Sequence, residues 1–404
     1  MTSGCGSTAD PDVSDPFGLR SLDIERARSA PGAKWQFHPA DYCAWVADMD
    51  FPIAPAIRDR LIEVASTDVG YPVWGGKRLV SPAVIAFIDR MAGRYGWSPR
   101  REWLYEMSDV VQGVRVAVHH LTDPGDRIVL HTPAYHPFLD TIDSTNRRIV
   151  RVPPPFDHDA LDPLLAREPA RLMILCHPHN PTGHVFTRGE LERIAEIAIR
   201  HDLVVVSDEI HADLVHDPHG HVPFESLGAD VAARTITMTS ASKAFNLAGL
   251  RWAIIHAGSE VMRSALDSLP AHYLGAPNVM GVEATATAWT AGDPWLESVR
   301  AVLDENRRAL AGLVAEHLPG VRYTPPDATY LAWLDCRELG LGDDPAVTFR
   351  GCGVELSPGP QFGAEGNGFV RLNFATSPAI LAATVAAMGR PGAEVAPERR
   401  TPTT

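Results

Sequence analysis

The 404-residue sequence has no long basic run, no internal repeat and no apolar stretch of the ~18 residues that a membrane-spanning helix needs. Each absence removes a class of function. With 36 Lys and Arg against 50 Asp and Glu, the formal net charge is −14, so binding to a nucleic-acid backbone is unsupported. The five cysteines, at 5, 43, 176, 336 and 352, are odd in number and scattered, which fits reduced thiols better than a disulfide framework. The amino terminus is polar and lacks the apolar segment of an export signal, so the expectation is a cytoplasmic protein with no membrane and no nucleic-acid partner. His216, His219 and His221 have a spacing that could suit a metal, but Asp-Pro and His-Gly neighbours read as a surface loop with nothing to orient the imidazoles. No metal is expected.

What the chain does have is apolar content, at 45%, enough for a large core in two or three compact units. Strand-like runs such as Leu172–Cys176 and Leu203–Val206 alternate with helical patterns. Thr187 and Glu190 form a capping box ahead of Leu191, Ile194, Ala195 and Ala198 on one face. Alternation of this kind predicts an α/β architecture with a mainly parallel sheet. Residues 1–20 and 390–404 are rich in small polar residues and proline and read as disordered tails.

The most informative segment runs from Thr239 to Arg251 and contains Ser240, Ser242 and Lys243. A lysine amine can condense with an aldehyde, while adjacent hydroxyls and an arginine eight positions on can hold a phosphate, so pyridoxal 5'-phosphate (PLP) satisfies every group present. Two upstream segments supply what PLP needs besides. The run Leu172–Cys176 leads into a Pro- and Gly-bounded turn that leaves the Asn180 amide available to a phenolic oxygen. A second run ends at Asp208, and a carboxylate at the end of a buried strand is costly unless it is paired, as a pyridinium nitrogen would pair it. Each alone has a plainer explanation, a turn former and a helix cap. Together, in the order Asn180, Asp208, Lys243, they point to one site. Gly113 follows a strand-like stretch from Trp103 to Val111 and begins a helix-like one, so the N–H groups of Gly113 and Val114 are expected to bind an anion.

These segments, with Trp45–Phe51, Thr132–Phe138, Ala328–Asp335 and Phe369–Asn373, resemble those of the fold-type I PLP enzymes, the aspartate aminotransferase superfamily. Within it the chain is most similar to the PatB/MalY group of cystathionine beta-lyases, or carbon-sulfur lyases, over about residues 35 to 385. The resemblance implies a large PLP domain at 56–295, a small α+β domain at 296–390 joined by an N-terminal arm within 1–55, and a tail at 391–404. It makes Lys243 the cofactor anchor and base, Asp208 the partner of the ring nitrogen, and Tyr135 a ring-stacking residue whose hydroxyl assists proton transfer. Ser240, Ser242 and Arg251 match phosphate ligands. Tyr71 resembles a tyrosine that reaches the phosphate from a neighbouring subunit, which implies a homodimer with shared active sites.

Arg371 lies in an apolar run where an unpaired guanidinium is expensive, and it matches the arginine that grips a substrate α-carboxylate. Ala47 offers a backbone N–H to the same carboxylate. His211 stands where many aminotransferases carry a tyrosine. Gln112, His177 and His184 depart from the common pattern and bear on substrate identity more than on cofactor binding. The implied activity is cleavage of an L-cysteine thioether, cystathionine or another cysteine S-conjugate, to thiol, pyruvate and ammonia. Alternatives left open by the residues are transamination, a decarboxylating or oxidative reaction on a cysteine conjugate, and a regulatory binder that has kept the fold.

Overall fold

The computed structural model describes residues 15–67, 69–71, 80–270 and 273–390. Most of the two expected tails, residues 1–14 and 391–404, lies outside the described residues. In chain order the strands are β1 (Tyr42–Cys43), β2 (Leu104–Met107), β3 (Arg127–His131), β4 (Arg148–Val152), β5 (Leu172–Cys176), β6 (Val204–Asp208), β7 (Thr235–Thr239), β8 (Ala253–Ala257), β9 (Arg322–Tyr323), β10 (Leu331–Asp335), β11 (Val354–Glu355), β12 (Ser357–Pro358) and β13 (Phe369–Asn373).

Seven strands form the central sheet in the order β2-β8-β7-β6-β5-β3-β4. Neighbours from β7 to β4 pair in parallel, and β8 runs antiparallel to both β7 and β2. Strand β5 is buried along its whole length because helices cover both faces, and its side chains divide between two cores as the two-residue period of a strand requires. Leu172 and Ile174 join one cluster with Ala117, Phe138 and Met262. Met173 and Leu175 join the other with Leu165, Leu191 and Ile194. The helix Arg188–Arg200 starts at the expected capping box: the Glu190 N–H donates to Thr187 Oγ1 at 3.3 Å, and the Thr187 N–H donates to Glu190 Oε2 at 2.7 Å.

A four-stranded sheet, β12-β13-β10-β9, forms from the C-terminal part of the chain. The arm reaches it through β1, which pairs in parallel with β11. The expected boundary at 295/296 falls within the continuous 25-residue helix Asp293–His317, which begins two residues earlier.

Candidate active site

Parallel strands that all end at one edge of a sheet deliver their following loops to a common place, the usual position of a ligand in an α/β fold. Here β5 ends at Cys176, β6 at Asp208 and β7 at Thr239, and Cys176 is the register partner of Asp208. The turn after β5 needs its glycine: Gly183 has φ +71, and a Cβ there would lie 2.2 Å from Pro326 Cβ. That turn presents Asn180, and the loop after β7 presents Lys243. Both, with Asp208 and His211, line a cavity of about 850 Å³. A second cavity of about 390 Å³, which holds Arg371, meets the first at Ala47, Tyr135 and Lys243. The separated segments singled out by sequence therefore converge.

Burial dominates the electrostatics. It lowers the Lys243 ammonium below its ordinary value, Asp48 opposes this, and Arg371 adds to it. Lys243 Nζ donates to the Ala47 carbonyl at 2.9 Å, and Tyr330 Oη donates to the same oxygen at 2.8 Å. Asp208 is pushed up to about 7 by burial, against the pull of the Ile210 N–H that it accepts at 3.1 Å. Among the described residues it has no ion-pair partner. His211 is pushed down to about 3, by burial first and then by Lys243 and Arg371, and its Nδ1 is buried without a hydrogen bond. An uncharged imidazole, a carboxyl held near neutrality and a depressed lysine thus share one enclosure. Tyr135 lines it too, its hydroxyl raised by burial with Arg371 opposing.

The Arg371 end is fully assembled. Arg371 Nη1 donates to Asn180 Oδ1 at 3.1 Å, and Nη2 donates at 3.0 Å to both the Trp45 carbonyl and Ser357 Oγ. Its Nε is buried without a partner, and burial pushes the guanidinium down to about 10. Sequence reasoning gave no role to the amides that hold the arm in place. Asn373 Nδ2 donates to the Val46 and Asp48 carbonyls at 2.7 and 2.6 Å. Asn246 Nδ2 donates to Met49 and Phe51 at 3.0 Å, and Asn246 Oδ1 accepts the Met49 N–H at 3.0 Å. Both had appeared inside motif runs, but their partners lie far away in sequence. Ala47, expected to contribute its N–H to the substrate carboxylate, also offers its carbonyl as the acceptor for Lys243.

The other end requires a correction. The helix opens at Val110, with Asp109 as its cap, so Gly113 and Val114 do not stand at its N-terminus. The Gly113 N–H donates to the Asp109 carbonyl at 3.3 Å, and Val114 is completely buried. Glycine at 113 serves packing: a Cβ would lie 2.7 Å from Ile255 Cδ1 and 2.9 Å from Met238 Sδ. The N–H groups left open by helix geometry are those of Val110 and Val111, which line the cavity, since Asp109 Oδ1 accepts from the Gln112 N–H at 2.7 Å. Arg251 also lines the cavity and pairs with Asp109 while its side chain stays 62% exposed. Ser240 Oγ is committed to the loop, donating to the Trp252 carbonyl at 2.6 Å and accepting the Ser242 N–H at 3.1 Å. Ser240 and Ser242 both line the cavity. Tyr71 is fully exposed and does not line the cavity of its own chain.

Residues 217–220 of the histidine cluster do form an exposed loop, but His216 before it and the His221 side chain after it are buried. His216 Nε2 faces the Thr329 carbonyl at 2.8 Å, His221 Nε2 faces Glu209 at 2.8 Å and His219 Nε2 faces Asp327 at 3.1 Å, so the three rings turn to different partners.

Residues 96–387 match the profile of the family "Aminotransferase class I and II". The chain belongs to this family. It is 35% identical to the cystathionine beta-lyase PatB of Bacillus subtilis over 83% of this chain and 89% of that protein. It is 32% identical to the cystathionine beta-lyase of Corynebacterium glutamicum over 89% of this chain and 96% of the relative. Among solved structures, the PLP-bound C-S lyase from Staphylococcus hominis superposes with a TM-score of 0.82 at 28% identity, covering 92% of this chain and 97% of that one. Within the family, then, the chain falls in the cystathionine beta-lyase group represented by PatB.

The donor set suits PLP on grounds internal to the structure. Asp208 is a buried carboxyl lacking a cation, His211 has an orphaned ring nitrogen, and a depressed lysine faces the same cavity. Open helix N–H groups and Arg251 line one end, where a phosphate would fit.

Proposed function

We propose that the protein is a PLP-dependent carbon-sulfur β-lyase that cleaves an L-cysteine thioether to thiol, pyruvate and ammonia. The observation that carries the reading is the convergence of Lys243, Asp208, Asn180 and Arg371 on two connected cavities, in a chain 35% identical to a cystathionine beta-lyase. Bound there, PLP supplies an aldehyde for Lys243 to engage and an electron-withdrawing ring beside the substrate α-carbon.

The chain's own residues do the rest. Arg371, pre-aligned by Asn180, Ser357 and the Trp45 carbonyl, binds the α-carboxylate and so fixes the substrate beside Lys243. Lys243 Nζ, with its affinity for protons reduced by burial, takes the α-proton as general base. Asp208 would pair with the ring nitrogen of PLP, whose positive charge would favour the ionised carboxylate that burial disfavours. Asn180 and His211 would meet the phenolic oxygen, and Tyr135 would pack on the ring. Val110, Val111, Ser242 and Arg251 would hold the phosphate. As the Cβ–S bond breaks, its electron pair leaves with sulfur as a thiolate, which takes up a proton. Water converts the remaining three-carbon fragment to pyruvate and ammonia.

This reading includes a homodimer in the cytoplasm. Tyr71, exposed and away from its own cavity, is left available to the cavity of a second copy. The four described cysteines are free thiols, as a reducing compartment keeps them. No helix among the described residues is long and apolar enough to cross a membrane. Incubation of the purified protein with L-cystathionine or another cysteine thioether should release pyruvate and thiol together. Turnover that depends on added keto acid would favour transamination.

A further inference from the structure

The smaller cavity has a wall that the reaction does not use. Phe37, His38 and Trp45 line it and form a three-ring cluster, with His38 edge-on to Trp45 at 4.9 Å between centroids and Phe37 tilted against Trp45 at 5.9 Å. The cluster is held from behind. Trp45 Nε1 donates to the Lys34 carbonyl at 3.0 Å, and the buried Lys34 ammonium pairs with Asp50 at 2.9 Å. Asp50 also accepts from Trp35 Nε1 at 2.7 Å. Phe37 is nevertheless 70% exposed in the single chain, at a cavity that contains Lys243 and Arg371.

The charges on this wall are already satisfied. Arg350 and Glu355 form a two-point ion pair, Nε to Oε2 at 2.7 Å and Nη2 to Oε1 at 2.9 Å. His136, which also lines the cavity, is held below the ordinary imidazole value chiefly by its burial, and its Nδ1 lacks a hydrogen bond. Arg371 is engaged by the α-carboxylate in the reading above. A substrate with its α-carbon at Lys243 and its carboxylate at Arg371 has this cavity before its side chain.

We propose that the Phe37–His38–Trp45 wall is the subsite for the sulfur substituent, and that the substrate is a cysteine thioether carrying a planar, uncharged aromatic group. The proposal rests on the lyase reading and narrows it. A ring gains stacking and edge contacts with three pre-ordered rings and removes Phe37 from water. The second amino-acid head of cystathionine meets rings and a closed ion pair, with only the hydrogen-bonding groups of His136 and Gln361 to offset the water its ammonium and carboxylate lose.

The test measures kcat/KM of the full-length holoenzyme by pyruvate release with S-benzyl-L-cysteine, S-methyl-L-cysteine and L-cystathionine. S-benzyl-L-cysteine is expected to exceed each of the others by roughly tenfold or more, in the range of single-group discrimination by a pocket. Phe37→Ala changes an exposed side chain and should cut the benzyl-to-methyl ratio about fivefold, whereas Trp45→Phe, which keeps a ring, should retain most of it. Cystathionine turned over as well as the benzyl substrate, or a ratio unmoved by Phe37→Ala, would overturn the subsite while leaving the lyase reading intact. Absence of pyruvate and thiol from all three would overturn both.

Discussion

The two ends of the site are built differently. At the Arg371 end, the guanidinium is held by Asn180, Ser357 and the Trp45 carbonyl, and the arm over Lys243 is tied down by Asn246 and Asn373. At the Arg251 end, the arginine is mostly exposed, the helix terminus is open and Tyr71 does not line the cavity. One end is pre-organised by a single chain, so binding there orders little. The other gains its remaining contacts from the phosphate and, in our reading, from a second copy. Pre-organisation belongs where geometry must be kept through the reaction, and the open end has only to retain an anion.

Substitutions can break this comparison one end at a time. The largest effect belongs to neither end but to their junction: Lys243→Ala should reduce turnover about 10⁴-fold or more, as expected for loss of both anchor and base. Borohydride reduction of the holoenzyme followed by peptide mapping should place the pyridoxyl group on Lys243. The sequence has only three lysines, and of the other two Lys34 is buried in its ion pair with Asp50 while Lys77 lies outside the described residues. A label on either would refute the assignment.

Next comes Arg371→Ala, which should weaken capture of α-carboxylate substrates by about 2–5 kcal/mol, the cost of removing one partner from a buried charged pair. PLP affinity should barely change. Equal loss of cofactor and substrate would erase the distinction between the two ends.

Asp208 sharpens the comparison through pH. In the cofactor-free protein its carboxyl is held near 7 by burial, above the unfolded value of about 3.9. The folded state therefore binds more protons than the unfolded state between about pH 4 and 7, and this group makes the apoprotein less stable as pH rises through that window. Infrared spectroscopy should find a protonated carboxyl at pH 5 that disappears on PLP addition and is missing from Asp208→Asn. An ionised Asp208 throughout would contradict the pairing.

The smallest effect is expected from Arg251→Ala, whose exposed, solvent-screened guanidinium should cost about fivefold in PLP affinity while leaving substrate preference unchanged. A spectroscopic titration of apoprotein with PLP would show it.

Local chemistry explains which parts were legible beforehand. Strand β5 was readable to the residue because a fully buried parallel strand has an unbroken apolar run bounded by a Pro-rich turn. The Thr187–Glu190 cap was readable because both halves of the reciprocal bond lie three residues apart. The start of the helix at Val110 was missed because Val110 and Val111 extend the apolar pattern of β2. Asp109 followed three residues later by Gln112 was the available signal: its carboxylate caps the Gln112 N–H, and Gln112 Oε1 accepts the Ser108 N–H at 2.9 Å. Asn246, Tyr330, Ser357 and Asn373 stayed silent because their partners, the carbonyls of Trp45 to Phe51, are brought to them only by the fold. The buried pairing of His221 was not legible for a related reason: it follows an exposed polar loop, and its partner Glu209 is brought to it by the fold.

The central claim is that the site eliminates sulfur, and a product balance tests it most directly. The holoenzyme, supplied with an L-cysteine thioether and no keto acid, should produce thiol, pyruvate and ammonia in equal amounts over many turnovers. Product formation that stops after one equivalent until a keto acid is added, or the appearance of carbon dioxide and hydrogen peroxide in place of pyruvate, would contradict it.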